Sequence, residues 1–238
     1  MMLKELMGVF NFVQDAGAAS SAYYDAVFNE NCTGKKTVAS RKYTAQYLQK
    51  LYILDPSCCI FRALRFFWKR DIDGRKLTAF LCAVARDSIL RQTIDYILDL
   101  SVNTVASKNE LHAHIDRVFQ DRFGPVMTAS LGRNLLSSWT QAGYLEGRSK
   151  KNRKTPEVTP GSVAFSLFLG YLSGERGEML FSSRYSNILD CSIDLSINMA
   201  EKASSRGWLV FKRVGNVMEV AFPNLLTSEE MEWVREQS

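Results

Sequence analysis

The spacing of the apolar residues is the feature that most constrains the fold. Through much of the chain before residue 205 they recur every three or four positions, as Ile60, Leu64, Phe67 and Trp68 do. Because a helix has about 3.6 residues per turn, such residues form one apolar stripe along its surface. Glycines, prolines and short polar runs interrupt the pattern at intervals. The sequence therefore predicts a mainly α protein whose body is a bundle of packed helices.

The pattern changes near the C-terminus. Trp208–Val214 and Val217–Phe222 are rich in β-branched and aromatic residues, and Gly215-Asn216 separates them. Two such runs joined by a glycine-containing turn of two residues predict a β-hairpin at 208–222. A helix is expected just before it, from Asp194 to Ser205. Helices followed by one hairpin are typical of a winged helix, although folds that bind only protein share this order.

A polar, basic stretch from Arg148 to Pro160 separates the two regions. The chain has 238 residues, which is long enough for one compact body or two small domains. We predict a helical domain over 1–150 and a second domain over 151–238, in which a helical segment precedes a winged-helix-like unit.

Motifs for catalysis and metal binding are not evident in the sequence. His112 and His114 are two positions apart on an expected helix and do not face each other, so they are not expected to share a metal. Asp71–Gly74 resembles the start of a calcium loop, but two basic residues follow it and no glutamate occupies the twelfth position. No glycine-rich phosphate loop occurs. We therefore expect a non-enzymatic protein that needs neither a cofactor nor a metal.

The five cysteines form an odd set without a C-x-x-C pair. This pattern predicts reduced thiols in a cytoplasmic protein. The adjacent Cys58 and Cys59 are expected to be small buried thiols, with a strained disulfide between them as the alternative. No apolar stretch approaches the roughly 20 residues that cross a bilayer, so no membrane association is expected.

Two clusters of cations without an acid between them are the strongest functional signal. The first contains Arg148, Lys150, Lys151, Arg153 and Lys154. The second contains Lys35, Lys36, Arg41 and Lys42 and lies in a stretch from 31 to 54 that has no acidic residue. Cations close to a duplex release its condensed counterions, so several of them support binding without reading sequence. We predict that both clusters contact nucleic-acid phosphates; the alternative is a charged segment that only keeps the protein in solution.

Two further elements are candidates for contacts with nucleic acid. A helix from Thr128 to Ala142 is expected to present Arg133 and Asn134 opposite its apolar stripe, and these residue types can bond guanine and adenine. Lys212 and Arg213 lie next to the hairpin turn and would contact phosphates as a wing does. The alternatives are an ordinary polar helix face and a charged strand edge.

Three stretches of the chain resemble a known family. They are Ile60–Arg65 followed by Leu77–Arg91, then Thr128–Leu145, then Pro156–Pro160 before an apolar helix. Together they are similar to the BrxA family of bacterial BREX phage-defence systems. The resemblance implies a helical fold like that of the antitermination factor NusB, binding of duplex DNA, and a non-enzymatic role in antiviral defence.

The sequence therefore predicts a nucleic-acid-binding accessory protein, with double-stranded DNA as the expected partner and other subunits of a defence complex as further candidates. The alternative function is a protein-interaction scaffold in a multi-protein assembly. In that case exposed aromatic residues, including Trp68 and Trp139, would anchor the partner.

Overall fold

A computed structural model describes residues 1–120, 122–215 and 217–236. Thirteen α-helices lie in this described part of the chain, together with one 3₁₀ helix and four short strands, which confirms the predicted predominance of helix. None of the helices in the described ranges combines the length and the apolar character needed to cross a membrane.

The helices are α1 (Leu3–Phe12), α2 (Ser20–Phe28), α3 (Val38–Tyr52), α4 (Cys59–Arg70), α5 (Arg75–Arg86), α6 (Ser88–Arg91), α7 (Ile94–Leu98), α8 (Lys108–Phe119), α9 (Pro125–Ala142), α10 (Pro160–Leu172), α11 (Arg184–Ile188), α12 (Ile193–Ser205) and α13 (Ser228–Glu236). The strands are β1 (Leu145–Glu146), β2 (Asn152–Arg153), β3 (Val210–Val214) and β4 (Val217–Ala221), and the 3₁₀ helix spans Gly177–Ser182.

The chain divides into two compact units. The first unit contains Met1–Phe61 and Cys82–Pro156, and the second contains Arg62–Leu81 and Glu157–Ser238. The boundary after Pro156 lies near the predicted one after residue 150. However, residues 62–81 group with the C-terminal part, whereas the sequence prediction assigned them to the first domain.

Local capping explains where several helices begin. The side chain of Thr37 accepts a hydrogen bond from the amide of Ser40 at the start of α3, and the side chain of Ser107 accepts one from the amide of Glu110 at the start of α8. Helix α9 begins at Pro125 rather than near Thr128, because proline is well tolerated in the first turn of a helix. It ends at Gly143, whose φ of 96° suits glycine.

The core of the first unit is aromatic. Trp139 of α9 is fully buried, its indole nitrogen donates a hydrogen bond to Thr93 Oγ1 at 2.9 Å, and its ring meets Tyr144 edge-on. Tyr23 and Phe61 meet edge-on with ring centres 5.2 Å apart. Such edge-to-face contacts between aromatic rings add to the stability gained from apolar burial. Trp139 is therefore a core residue.

A small β-ribbon follows α9 where the sequence predicted only a loop. Strands β1 and β2 are antiparallel and pair Leu145 with Arg153 and Glu146 with Asn152. The segment before α8 joins the ribbon, because Ala106 donates its amide hydrogen bond to Lys151 at 2.8 Å. The ribbon turns at Gly147, where φ is 109° and a Cβ atom would overlap the carbonyl oxygen of Lys150.

The second unit is built around α10. Residues 161–170 of this helix are all buried, so it has no polar face. Strands β3 and β4 form the predicted hairpin, in register from Val210 opposite Ala221 to Val214 opposite Val217. Phe222, just after β4, meets Phe168 of α10 with ring centres 5.3 Å apart. The predicted turn residue Asn216 lies outside the described residues.

Residues 62–81 group with the second unit through specific contacts. Phe67 of α4 meets Phe165 of α10 edge-on, with ring centres 6.1 Å apart. Asp71, between α4 and α5, has a side chain that caps the start of α10: it accepts hydrogen bonds from Thr159 Oγ1 at 2.6 Å and from the amide of Gly161 at 2.7 Å. Contacts between residues so far apart in sequence leave no local pattern, which is why the prediction missed them.

Candidate nucleic-acid interface

The first basic cluster lies on the ribbon. Arg148 and Lys150 occupy the turn and are exposed to solvent. Lys151 is half-buried, and its ammonium group donates a hydrogen bond to the carbonyl of Gly147 at 2.9 Å. Lys154 pairs with Glu146 at 3.5 Å across the ribbon. Strand pairing therefore holds the turn in place, and Arg148 and Lys150 are its most accessible cations.

Arg153 differs from the rest of this cluster. Its side chain is buried, with an exposed fraction of 1%. The guanidinium group donates hydrogen bonds to the carbonyls of Ile97 and Lys154 and lies 5.5 Å from the centre of the Tyr144 ring. The prediction that Arg153 contacts phosphate does not fit this position, because its charge stabilises the junction between α7 and the ribbon. Arg153 is removed from the candidate interface.

The second basic cluster begins before α3. Lys35 pairs with Glu5 of α1 at 2.7 Å. Burial of the Glu5 carboxyl raises its pKa, but the hydrogen bond and charge of Lys35 outweigh this effect and bring the pKa below its ordinary value. Lys36 and Lys42 are exposed, and Arg41 is half-buried with its Nε donating to the carbonyl of Lys35 at 3.4 Å. Lys36 and Lys42 are therefore the freely accessible cations.

Helix α1 connects the surroundings of the two clusters. Glu5 near its start holds Lys35, and the amide of Leu3 donates a hydrogen bond to Gln141 Oε1 at 3.1 Å. Gln141 lies in the last turn of α9, directly before the ribbon. Arg133 and Asn134, also on α9, are exposed as predicted. The first unit thus brings the α3 segment, α9 and the ribbon into one connected framework.

Helix α3 exposes two aromatic residues to solvent. Tyr43 and Tyr47 have exposed fractions of 59% and 55%. The buried face consists instead of Thr44, Ala45, Leu48, Leu51 and Tyr52. The four-residue spacing of Tyr43 and Tyr47 puts them next to each other on the solvent side, where Lys42 also lies.

A recess of about 300 Å³ lies between α2 and α3. Ser20 and Ser21 contribute hydroxyl groups to its lining, and Gln49 contributes an amide. Gln49 is exposed and belongs to the solvent side of α3. Tyr24 and Ala45 also line the recess, whereas Tyr43 and Tyr47 do not.

The hairpin of the second unit presents two exposed cations, Lys212 and Arg213. Lys212 pairs with Glu219, its cross-strand neighbour, at 3.4 Å, and Arg213 Nε donates to the carbonyl of Gly215 at 3.3 Å. An exposed pair of this kind adds at most about 1 kcal/mol to stability. The Lys212 charge is partly balanced by its neighbour, so Arg213 is the stronger candidate of the two.

Helix α4 does not present a continuous cationic face. Arg65 is buried, and Arg62 forms an ion pair with Glu230 of α13. Lys69 and Arg70 at the end of the helix are exposed, and Arg70 lies over the ring of Phe66. The buried Arg65 and the paired Arg62 both contribute to packing within the second unit.

The two histidines take part in separate contacts. A Cβ atom at Gly132 of α9 would overlap the ring of His112, so this histidine packs directly against the α9 backbone. His114 Nε2 lies 2.7 Å from the carbonyl oxygen of Gln92, and Arg117 donates to its Nδ1 at 3.2 Å. Because Arg117 donates to Nδ1, Nε2 is the ring nitrogen that donates to the Gln92 carbonyl.

The cysteine pair is more exposed than expected. Cys58 and Cys59 are half-buried and Cys82 is buried, and all three are free thiols. A hydrogen bond from the Cys59 thiol, supported by the amides of Ile60 and Phe61 and by the charge of Arg86, lowers the pKa of Cys58 to about 6. Burial raises the pKa of Cys82 to about 12. The prediction that Cys58 and Cys59 are buried is wrong.

Cys58 is expected to be the fastest thiol to react with iodoacetamide. Because only the thiolate reacts, its alkylation rate should rise through pH 6 and level off near pH 7. Burial raises the pKa of Cys32 and Cys191, so their rates should still be increasing at pH 9. Mass spectrometry of peptides after timed labelling measures each rate. A Cys58 rate that follows those of Cys32 and Cys191 would contradict this assignment.

Comparisons of the chain with protein-family models, curated proteins and solved structures gave no match.

Proposed function

We propose that this protein is a non-enzymatic accessory factor that binds nucleic acid, with duplex DNA as its expected partner. The observation that carries the proposal is the ribbon turn of the first unit, where Arg148 and Lys150 stand exposed on a backbone fixed by strand pairing. A fixed turn loses less conformational entropy on binding than a flexible loop does. Lys36 and Lys42 add accessible charge in the same unit.

Phosphate contacts of this kind contribute affinity but do not distinguish one base sequence from another. Each cation that neutralises a phosphate releases condensed counterions, so the logarithm of the binding constant falls linearly with the logarithm of salt concentration. Arg133 and Asn134 on α9 are the candidates for contacts with base edges. If the second unit binds as a winged helix does, its hairpin corresponds to the wing, and Arg213 and Lys212 would contact phosphates.

Replacing Arg148 and Lys150 with glutamine tests the ribbon assignment. We expect the double variant to bind duplex DNA about tenfold more weakly at low salt. The slope of log affinity against log salt should flatten by about 1 for each phosphate contact removed. Fluorescence anisotropy with labelled duplexes of unrelated sequence, across a salt series, measures both quantities.

The control variant carries Lys76→Gln and Lys202→Gln. Both lysines are exposed and lie outside the two basic clusters, so this variant loses the same net charge. We expect it to bind like the unsubstituted protein. Equal weakening of the two variants would mean that only net charge matters, and unchanged binding of the ribbon variant would refute its role.

The resemblance to the BrxA family supports duplex DNA as the partner and phage defence as the context of the proposed function. The basic residues on the ribbon lie between the second and the third of the stretches that carry this resemblance. Deletion of the gene from a host that carries a complete defence system should increase phage plating if the context is right.

A protein-interaction scaffold is the second candidate function. Trp68 and Trp139, expected as its anchors, are buried. Other apolar side chains of the second unit are exposed, namely Val214 and Val217 at the hairpin end and Trp233 of α13. Copurification of a stoichiometric protein partner that protects these residues from labelling would favour the scaffold.

A further inference from the structure

The solvent side of α3 combines aromatic rings with positive charge. Tyr43 and Tyr47 are more than half exposed and one helical turn apart. Lys50 follows Tyr47 by three positions and shares its side of the helix. Lys42, next to Tyr43 in the chain, and Lys36, just before the helix, are exposed as well. No acidic residue occurs between positions 31 and 54. The stability of the helix does not require two large aromatic rings to be exposed among cations.

This arrangement matches the chemistry of an unpaired nucleic-acid strand. Every base has a π-face that stacks on an aromatic side chain, and every nucleotide carries a phosphate for a nearby lysine. In a duplex the base faces are already stacked on one another, so an exposed tyrosine on a convex helix cannot reach them. A single strand offers both groups at once.

We propose that the α3 face formed by Tyr43, Tyr47, Lys42 and Lys50 is a binding site for single-stranded nucleic acid, with bases stacked on the two tyrosines. This inference rests on the proposed function and extends it from phosphate contacts to unpaired bases.

The tyrosines and the lysines have separable roles at this site. Stacking on an aromatic ring contributes to affinity largely independently of salt, whereas the lysine contacts set the salt dependence. Replacement of both tyrosines with alanine should therefore weaken binding without changing the salt slope. Replacement of Lys42 and Lys50 with glutamine should flatten the slope.

The test compares a labelled single-stranded oligonucleotide of mixed sequence, as DNA and as RNA, with a duplex of the same sequence. For the Tyr43→Ala, Tyr47→Ala variant we expect at least a tenfold loss of affinity for the single strand. Affinity for the duplex should stay within twofold. The Tyr43→Phe, Tyr47→Phe variant keeps both rings and should retain single-strand binding.

The matched control is Trp233→Ala, which removes an exposed aromatic ring from the second unit and should leave binding unchanged. Because both tyrosines are exposed, the alanine variant should melt at the same temperature as the unsubstituted protein. Ultraviolet crosslinking to a bromouracil-containing single strand, mapped by mass spectrometry, should place the adduct on α3.

Each outcome separates the inference from the proposed function. Unchanged single-strand binding in the alanine variant, or an equal loss for single strand and duplex, would overturn the tyrosine site while nucleic-acid binding stands. Absence of binding to any of the three nucleic acids at low salt would overturn both. Binding of an acidic peptide alone, blocked by the alanine substitutions, would assign this face to a protein instead.

Discussion

Replacing Asp71 with alanine is expected to lower the free energy of unfolding by about 3–5 kcal/mol. The Asp71 carboxylate is buried, with an exposed fraction of 7%, and it accepts hydrogen bonds from Thr159 Oγ1, the amide of Gly161 and, at 3.3 Å, the amide of Gly74. Alanine leaves these three donors without this acceptor in a site closed to water. Urea denaturation followed by circular dichroism measures the change.

The neighbouring acid in the same turn provides the control. Asp73 is exposed, so Asp73→Ala should change the unfolding free energy by less than about 0.5 kcal/mol. The packing around Asp71 is also close: a Cβ atom at Gly74 or Gly161 would overlap its carboxylate, and Gly161→Ala should be destabilising too. An Asp71 variant as stable as the Asp73 variant would show that this carboxylate does not hold α10 in place.

Replacing Arg153 with methionine is expected to cost about 2–4 kcal/mol of stability. Methionine keeps most of the apolar volume but removes the guanidinium group. The carbonyl of Ile97 then loses a donor at 2.9 Å, and the carbonyl of Lys154 loses one as well. Thermal unfolding and urea titration should both show the loss.

Arg148→Met is the matched control for this experiment, because Arg148 belongs to the same basic cluster but is exposed. We expect it to weaken nucleic-acid binding and to leave stability unchanged, the opposite of the Arg153 variant. If Arg153→Met folds as stably as the unsubstituted protein and binds less nucleic acid, the original prediction of a phosphate contact is right and the structural role is wrong.

The sequence predicted those features that depend on neighbouring residues. The helical spacing in α4 and the hairpin at 208–222 each leave a local pattern, and the structure contains both. The ribbon escaped prediction because two strands of two residues are too short to show alternation. Its third partner, the segment around Ala106, lies far away in the sequence.

The candidate interface was predicted in outline but not residue by residue. A run of basic residues shows where charge accumulates, but it does not show which side chains turn inward. Arg153 and Arg148 look alike in the sequence, and only the fold distinguishes a buried guanidinium from an exposed one. On α3 the smaller Thr44 and Ala45 are buried while Tyr43 and Tyr47 face solvent, which reverses the order expected from hydrophobicity.

The path of the chain through α4 and α5 has a consequence for synthesis on the ribosome. Arg62–Leu81 belongs to the same compact unit as Glu157–Ser238, and the first unit contains the residues between them. At about 5–20 residues per second, synthesis of the early segment is complete roughly 4–15 s before the start of its later partner is made. Until then Phe67 lacks its later neighbours, so the nascent chain carries apolar surface that a chaperone can shield. Cutting the gene after Pro156 would give a first fragment that holds the whole first unit together with residues 62–81, and a second fragment that lacks this part of its own unit.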